Sequence, residues 1–308
     1  MKKGVTIISF IVLAYSIAAQ DTCLPKYNLP VKTIELSAGK LAYVEKGKGQ
    51  TIIFIHGLGA NLSHWLKVVN ELSAFYHCIA IDLPGYGWSQ REVNTNGVDH
   101  IQFFAEAVNE FLKKKKIKDP IVAGHSMGGH VAMIMALQNK EIKKLILVAP
   151  GGGLENYTEK EKQSVANTMP ASYFENQDEA AIRSNLKRVF YNEPADAEQL
   201  VQYRVQMRNC ANFKLYCENV AKAVTSAMHH SVGDSVHLLS MPVLLVYGAN
   251  DAAIPNKTIR PNGTTEEVGK AAAALFPNCR LEMIKEAGHM VLYEKNTELC
   301  SLIRSFLK

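Results

Sequence analysis

The residues best placed to do chemistry surround a serine, Ser126, in the segment GHSMGG at residues 124–129. The segment follows the apolar run 121–123, which predicts a strand, and opens the stretch 127–139, which predicts a helix. A G-x-S-x-G sequence between a strand and a helix forms a sharp turn that exposes the serine hydroxyl and needs small neighbours. The turn also aims the backbone N–H of Met127, at a helix N-terminus, toward a developing oxyanion. This pattern predicts a nucleophilic serine.

Two residues further along the chain can relay the proton of this serine. Asp251 and His289 each follow a predicted strand directly, in loops rich in small residues. A serine hydroxyl is a poor nucleophile until a base takes its proton, and an imidazole base needs a carboxylate to fix its tautomer. The order serine, acid, histidine along the chain predicts His289 as the base and Asp251 as its partner. Asn250 and Glu286 stay open as alternatives to Asp251.

A third motif, HGLG at residues 56–59, follows the predicted strand 51–55. Its glycines allow backbone N–H groups to turn inward, and Leu58 N–H is the candidate second donor of an oxyanion hole, beside Met127. His56 is expected to anchor this loop through hydrogen bonds. The residues expected to line a pocket are His56, Gly57, Trp65, His125 and Met290, whereas Trp88, Met169 and Tyr173 are open to a lining or a core role.

The elements that must position these residues alternate between strands and helices. The predicted strands lie at 31–37, 41–46, 51–55, 78–81, 121–123, 145–148, 243–247 and 280–284. Helical patterns lie at 64–72, 101–112, 127–139, 265–275 and 292–307. Several strands are continuously apolar, as in a parallel sheet covered on both faces, and the first two alternate like an antiparallel hairpin. The predicted fold class is α/β, with a mostly parallel eight-stranded sheet flanked by helices.

One interval, residues 151–240, breaks this alternation. It contains no convincing strand, and helical patterns occupy 159–168, 179–189, 197–210 and 213–228. An insertion of this kind predicts a helical cap over the carboxyl edge of the sheet, where the loops of a parallel sheet assemble binding sites. The predicted organisation is a signal peptide over 1–19, a core formed by 20–150 and 241–308, and a cap over 151–240.

The N-terminal segment predicts export. Lys2 and Lys3 precede a charge-free stretch at residues 4–20, whose apolar centre is too short for a comfortable membrane span. Small residues near its end offer a cleavage point. We therefore expect a signal peptide, a periplasmic or extracellular location and no stable membrane insertion after its removal. A retained membrane anchor is the alternative.

Charge and cysteine usage bear on partners and cofactors. The net charge is +5, but two lysines belong to the predicted signal peptide, and the run 113–116 complements the negative end of a predicted helix. No basic stripe interleaved with aromatic residues occurs elsewhere, so we expect no nucleic-acid partner. Six cysteines could form disulfides in an exported chain, and Cys279 with Cys300 is one reasonable pair among many. The cysteine spacing gives no support to a metal site.

These motifs resemble those of the α/β-hydrolase superfamily, from about residue 31 to residue 307. The segment DLPGYGWS at residues 82–89 also looks like the turn that follows the fourth strand in that superfamily. The resemblance implies no metal or organic cofactor. Epoxide hydrolases and haloalkane dehalogenases of this fold carry an aspartate at the nucleophile position, which disfavours both. The resemblance implies five roles: Ser126 as nucleophile, His289 as general base, Asp251 as its partner, and Leu58 and Met127 as oxyanion donors.

The expected activity is that of an exported serine hydrolase, a carboxylesterase or lipase-like enzyme. It would cleave a carboxylic ester of a small or medium acyl substrate through an acyl-enzyme at Ser126. Thioesters, lactones, amides and carbon–carbon bonds stay open, because the fold does not decide the bond. A ligand-binding receptor with slow turnover is the alternative from another class, and no pattern in the sequence predicts an oligomeric state.

Overall fold

The computed structural model describes residues 23–155 and 157–308, so the predicted signal peptide lies outside the described residues. The strands are β1 (Lys32–Leu36), β2 (Gly39–Lys46), β3 (Thr51–Ile55), β4 (His77–Asp82), β5 (Ile121–His125), β6 (Lys144–Val148), β7 (Val243–Gly248) and β8 (Cys279–Ile284). They form one eight-stranded sheet in the order β1-β2-β4-β3-β5-β6-β7-β8. The pairs β1–β2 and β2–β4 are antiparallel and the other pairs are parallel. The predicted fold class is confirmed.

Within the described residues, the α-helices lie between or after the strands along the chain. They are α1 (Leu66–Leu72), α2 (His100–Lys114), α3 (Met127–Gln138), α4 (Glu159–Thr168), α5 (Ala171–Glu175), α6 (Glu179–Arg188), α7 (Glu198–Met207), α8 (Phe213–His229), α9 (Thr265–Ala274), α10 (Val291–Glu294) and α11 (Asn296–Leu307). Short 3₁₀ helices occur at Leu62–Trp65, Ala195–Ala197 and Val236–Leu238. None of the helices in the described part of the chain is long and apolar enough to cross a membrane.

The sheet separates two hydrophobic cores because successive strand residues point to opposite faces. In β3, Ile53 and Ile55 belong to the cluster that includes residues of α2, α3 and α8, whereas Ile52 and Phe54 belong to the cluster that includes residues of α1 and α11. Strands β5 and β7 are buried along their whole length. This continuous burial is what their unbroken apolar sequences predict for central parallel strands.

The interval between β6 and β7 is helical and contains α4 to α8. The expected helices of this interval correspond to α4, α6, α7 and α8, with small differences at their ends. Thr158 and Glu161 form a capping box at the start of α4, and Asp178 caps α6. The sequence pattern does not predict α5, because five residues are too few to show a helical period. The helix expected over 292–307 is divided at Lys295, whose φ of −125° leaves the helical region.

A disulfide joins Cys23 to Cys210, with 5.5 Å between their Cα atoms. It connects the segment before β1 to the chain just beyond α7. The expected pair of Cys279 and Cys300 is wrong, and both cysteines are free. Cys279 packs against the core on one face of the sheet and Cys300 lies in the core on the other face, so the sheet stands between them.

The lysine run 113–116 spans the last two residues of α2 and the two that follow them, and it contacts the β1–β2 hairpin. Lys114 Nζ donates a hydrogen bond to Glu35 O at 2.8 Å. Lys115 Nζ lies 3.4 Å from a Glu45 carboxylate oxygen. These positive charges are therefore used at a helix terminus, where they complement the negative end of the helix dipole.

Candidate active site

Ser126 occupies the sharp turn between β5 and α3. Its φ of 52° and ψ of −122° are strained for a residue with a side chain. A Cβ atom at Gly124 would lie 2.1 Å from Gly128 O, and one at Gly128 would lie 2.3 Å from Ile55 O. The turn therefore requires glycine at both positions, as the spacing of the motif predicts. The Ser126 side chain makes no cap hydrogen bond to α3, so its hydroxyl is not used to start the helix.

Asp251 and His289 are paired at the carboxyl ends of β7 and β8. His289 Nδ1 lies 2.8 Å from Asp251 Oδ2, and both side chains are buried. The other carboxylate oxygen, Oδ1, accepts backbone N–H bonds from Ala253 at 2.7 Å and Ile254 at 3.0 Å. Because Nδ1–H donates to the carboxylate, Nε2 of the neutral imidazole is left as an acceptor. This is the tautomer that a general base for a serine hydroxyl requires.

The two alternatives to Asp251 do not meet the histidine in this way. Asn250 is exposed at the start of the loop. The Glu286 carboxylate is 70% exposed and lies 3.8 Å from Lys295 Nζ. The structure therefore brings Asp251 to His289 and leaves both alternatives at the surface.

His125 links the serine turn to the histidine loop. Its Nε2 lies 2.9 Å from His289 O, to which it donates, and the two imidazole rings are 4.9 Å apart between centroids. Burial lowers the pKa of His125 well below its ordinary value, so the ring is neutral. His125, the residue before Ser126, thus fixes the backbone of His289, the expected base.

His56 holds the loop 56–59. Its Nδ1 lies 2.8 Å from Gly57 O, and its Nε2 accepts the backbone N–H of Leu83 at 3.1 Å. Burial lowers the pKa of His56 to about 4, so the ring stays neutral and Nδ1 carries the proton that is donated to Gly57 O. The C=O and N–H groups of a trans peptide point in opposite directions. Fixing Gly57 C=O therefore also fixes the orientation of Leu58 N–H.

The segment 82–89 contacts the loop 56–59 through Leu83 and is itself held by Asp82. Asp82 accepts the backbone N–H groups of Leu62 at 2.8 Å and Trp88 at 2.9 Å, and both carboxylate oxygens are hydrogen-bonded to Tyr27 Oη. A Cβ atom at Gly87 would lie 2.0 Å from Asp82 Oδ2, so only glycine fits there. Burial raises the pKa of Asp82 to about 6. The sequence resemblance marks this segment, and the structure adds the contacts of Asp82 that hold it.

Two cavities meet at Ser126 and His289. The smaller has a volume of about 150 Å³, and the larger a volume of about 610 Å³. Leu58 and Val189 also line both, so they stand at the junction. The smaller cavity reaches polar groups of the helical interval 151–240, such as Gln177 and Arg204, whereas much of the larger is lined by aliphatic and Met side chains. Among the latter are Val165, Met169, Val224, Met228 and Ile254.

Of the five residues expected to line a pocket, three do so, and two of the residues open to a lining or a core role also line a cavity. Gly57, His125 and Met290 line the smaller cavity, while Met169 and Tyr173 line the larger. The lining role expected for Trp65 is wrong. Trp65 is wholly buried in the core on the α1 side of the sheet, where it packs against Phe54 and donates its indole N–H to Ile55 O.

His56 is likewise wholly buried and acts as the anchor of the loop rather than as a cavity wall. Trp88 is part-buried and donates its indole N–H to Pro25 O at 2.7 Å. The two tryptophans therefore bond to the backbone of β3 and of the segment before β1.

Comparison with known proteins places this chain in a family. The profile of the family described as alpha/beta hydrolase fold matches residues 50–296. The chain belongs to the α/β-hydrolase fold family.

Three similar proteins illustrate the range of this α/β-hydrolase family. Uncharacterized hydrolase YugF of Bacillus subtilis is 26% identical over 270 residues, which cover 84% of this chain and 90% of that protein. Lipase 1 of Psychrobacter immobilis is 24% identical over 292 residues, 91% of this chain and 85% of the other. The structure of a thermophilic esterase from Thermogutta terrifontis superimposes with a TM-score of 0.71 at 21% identity, covering 90% of this chain and 98% of the esterase.

The helical interval 151–240 of this α/β hydrolase contributes contacts that the sequence pattern does not predict. Arg204 in α7 and Tyr216 in α8 both donate to Gly59 O, at 2.7 and 2.9 Å. Their side chains therefore hold the end of the loop 56–59 through a single carbonyl oxygen. No spacing along the chain relates them to that loop, because the contact depends on how the helices pack over the sheet.

The described residues offer no metal centre to this α/β hydrolase. Within 23–155 and 157–308, no group of three His, Cys, Asp or Glu side chains is arranged to hold a metal ion. His56 and His125, which belong to the two glycine-rich motifs, are each engaged by a backbone carbonyl.

Proposed function

We propose that this chain is a serine hydrolase that cleaves a carboxylic ester through an acyl-enzyme at Ser126. The observation that carries the proposal is the convergence of Ser126, in its strained turn, with the Asp251-paired His289 at the junction of two cavities. A serine, an imidazole and a buried carboxylate in this relation are the requirements of acyl transfer.

In the proposed reaction, His289 Nε2 takes the proton of Ser126 Oγ as that oxygen bonds to the acyl carbon. The carbonyl π electrons move to oxygen, and the N–H groups of Leu58 and Met127 stabilise the resulting oxyanion. The oxyanion collapses, the bond to the alcohol oxygen breaks, and the alcohol leaves with the proton from His289. Water then attacks the acyl-enzyme by the same route, which releases the acid and restores the serine.

The two cavities support an ester with unequal halves. A cavity of about 150 Å³, the volume of the smaller one, can hold a group the size of benzene. The larger cavity, about 610 Å³, is lined by aliphatic and Met side chains together with polar ones such as Glu155 and Arg188, and it has room for a longer group. We propose a small or medium acyl ester as substrate. The names of one relative, a lipase, and one structural neighbour, an esterase, agree with this bond type.

We propose further that the protein is exported after removal of residues 1–19. Disulfides persist in oxidising compartments, and the bond between Cys23 and Cys210 is consistent with such a location. Expression in a secreting bacterium with fractionation and mass spectrometry of the N-terminus tests this. Recovery of the intact chain with Met1 in the cytoplasm or membrane would contradict the proposal.

A panel of substrates tests the reaction. Nitrophenyl esters of increasing acyl length, a thioester, an amide and a lactone are compared for the wild type and for Ser126→Ala. We expect ester turnover in the wild type, labelling by a fluorophosphonate probe, and loss of both in the variant, because no other group supplies the nucleophile. Equal ester turnover in Ser126→Ala would refute the assignment. Rapid labelling with negligible turnover of every substrate would favour the receptor alternative.

A further inference from the structure

Glu294, at the end of α10, binds two separate parts of the chain through one carboxylate. Its Oε1 accepts the backbone N–H groups of Tyr191 at 2.6 Å and Asn192 at 2.8 Å. Its Oε2 accepts the backbone N–H of Gly288 at 2.6 Å. Tyr191 and Asn192 follow α6 in the helical interval 151–240, and Gly288 directly precedes His289. The carboxylate therefore joins this interval to the loop that carries the proposed base.

The same two segments touch at further points around Glu294. Met290 donates its backbone N–H to Val189 O at 3.2 Å. A Cβ atom at Gly288 would lie 2.7 Å from both Tyr191 N and Val189 O, so the two backbones are in direct contact. Phe190, Met290 and Tyr293 share a small hydrophobic cluster beside this contact. The loop around His289 is thus packed on the turn that follows α6.

The position of His289 is set by its backbone neighbours as well as by Asp251. His125 holds His289 O, Val189 O holds Met290 N–H and Glu294 holds Gly288 N–H. Hydrogen bonds from backbone N–H groups to a carboxylate are stronger than those between neutral groups. Of these three supports, only the one from Glu294 is charged, and it also restrains the turn after α6.

We propose that Glu294 is a positioning residue, which orients His289 toward Ser126 by fixing the loop against the turn after α6. This inference rests on the proposed function, in which His289 is the base. Val189 of the same turn lines both cavities, so this turn lies beside the proposed reaction centre. A displacement of the imidazole by about 1 Å is enough to lower the rate about 100-fold.

The substitution Glu294→Gln tests this role with little change of shape. A glutamine offers one acceptor oxygen, so either Gly288 N–H or the N–H pair of Tyr191 and Asn192 would face an NH₂ group. We expect kcat for a nitrophenyl ester to fall about 100-fold while KM changes less than about threefold, because the chemical step loses its geometry. Fluorophosphonate labelling should slow in parallel. The control is Glu298→Gln, an exposed carboxylate in α11, for which both constants should stay unchanged.

Two outcomes would overturn the positioning role. A lower melting temperature with unchanged kcat would show that Glu294 only stabilises the fold, and unchanged kcat and stability would show no role at all. If Glu294→Gln does not fold, Glu294→Asp decides, since it keeps the charge on a side chain shorter by one methylene. We expect a smaller loss of kcat in this variant, and wild-type kcat would refute the proposal. Turnover retained by Ser126→Ala would instead refute the proposed function itself.

Discussion

The substitution Asp251→Asn probes the proton relay most directly. The carboxylate of Asp251 uses Oδ2 for His289 Nδ1 and Oδ1 for the backbone N–H groups of Ala253 and Ile254. An asparagine has one acceptor oxygen and one NH₂ group, so it cannot serve both sides. If the oxygen keeps the two backbone bonds, NH₂ donates to Nδ1 and forces the proton of the imidazole onto Nε2. In that tautomer, Nε2 cannot accept the proton of Ser126.

The cost of the productive orientation follows from these contacts. With the amide oxygen turned to His289, the N–H groups of Ala253 and Ile254 face an NH₂ group and lose their acceptor. A buried donor without an acceptor costs about 1–3 kcal/mol, so the productive orientation lies about 2–6 kcal/mol above the other. Since about 1.4 kcal/mol corresponds to a factor of ten in rate, kcat should fall by about 30-fold to 20,000-fold. The same substitution in serine proteases costs about 10⁴-fold.

Steady-state hydrolysis of a short nitrophenyl ester measures this loss, with fluorophosphonate labelling as a second measure of Ser126 reactivity. The matched control is Glu286→Gln, which neutralises an exposed carboxylate next to Ala287 in the histidine loop. Its kcat should stay within about twofold of the wild type, as for other surface substitutions. Wild-type kcat in Asp251→Asn would refute the reasoning, and a large loss confined to Glu286→Gln would identify that residue as the acid.

Two further predictions concern stability. Replacing Cys23 and Cys210 together by serine should lower the free energy of unfolding by about 2–5 kcal/mol, because their disulfide restricts a long loop in the unfolded chain. Urea unfolding measures the difference, and equal stability of the variant and the wild type would contradict this prediction. Burial lowers the pKa of His56 to about 4, so its stability contribution is present above its unfolded pKa of about 6.5 and is lost as the pH falls through about 4. Urea midpoints should therefore decline less with acid in His56→Gln than in the wild type, and identical slopes would exclude this effect.

Much of the fold could be predicted because its signals are local. Strands such as β3 and β7 are unbroken apolar runs, and burial on both faces of the sheet requires that composition. The turn at Ser126 is local as well, since a strand, two essential glycines and a helix within a few residues define it. The loops that carry Asp251 and His289 follow the paired parallel strands β7 and β8, whose carboxyl ends lie side by side, but Asn250 and Glu286 share those loops.

The remaining features depend on contacts between distant segments, which leave no regular pattern in the chain. The sequence predicts Trp65 beside the cavities, but Trp65 is buried in the core on the α1 side of the sheet. It also predicts Cys279 near Cys300, but these two cysteines pack against opposite faces of the sheet. The disulfide of Cys23 bridges 187 positions of sequence. In the sequence, nothing distinguishes Glu294 from other helical carboxylates. Its contact with the turn after α6 appears only in the tertiary structure.

The sequence by itself determined the order of strands and helices, the strained serine turn and the identity of the residues that can relay a proton. These depend on backbone conformation and on apolar periodicity, which neighbouring residues control. Only the tertiary structure decided which acid meets His289, how helices α7 and α8 hold the loop 56–59, and how large the two cavities are. Those properties depend on the packing of whole elements, where a side chain's partner is set by shape and burial rather than by its place in the chain.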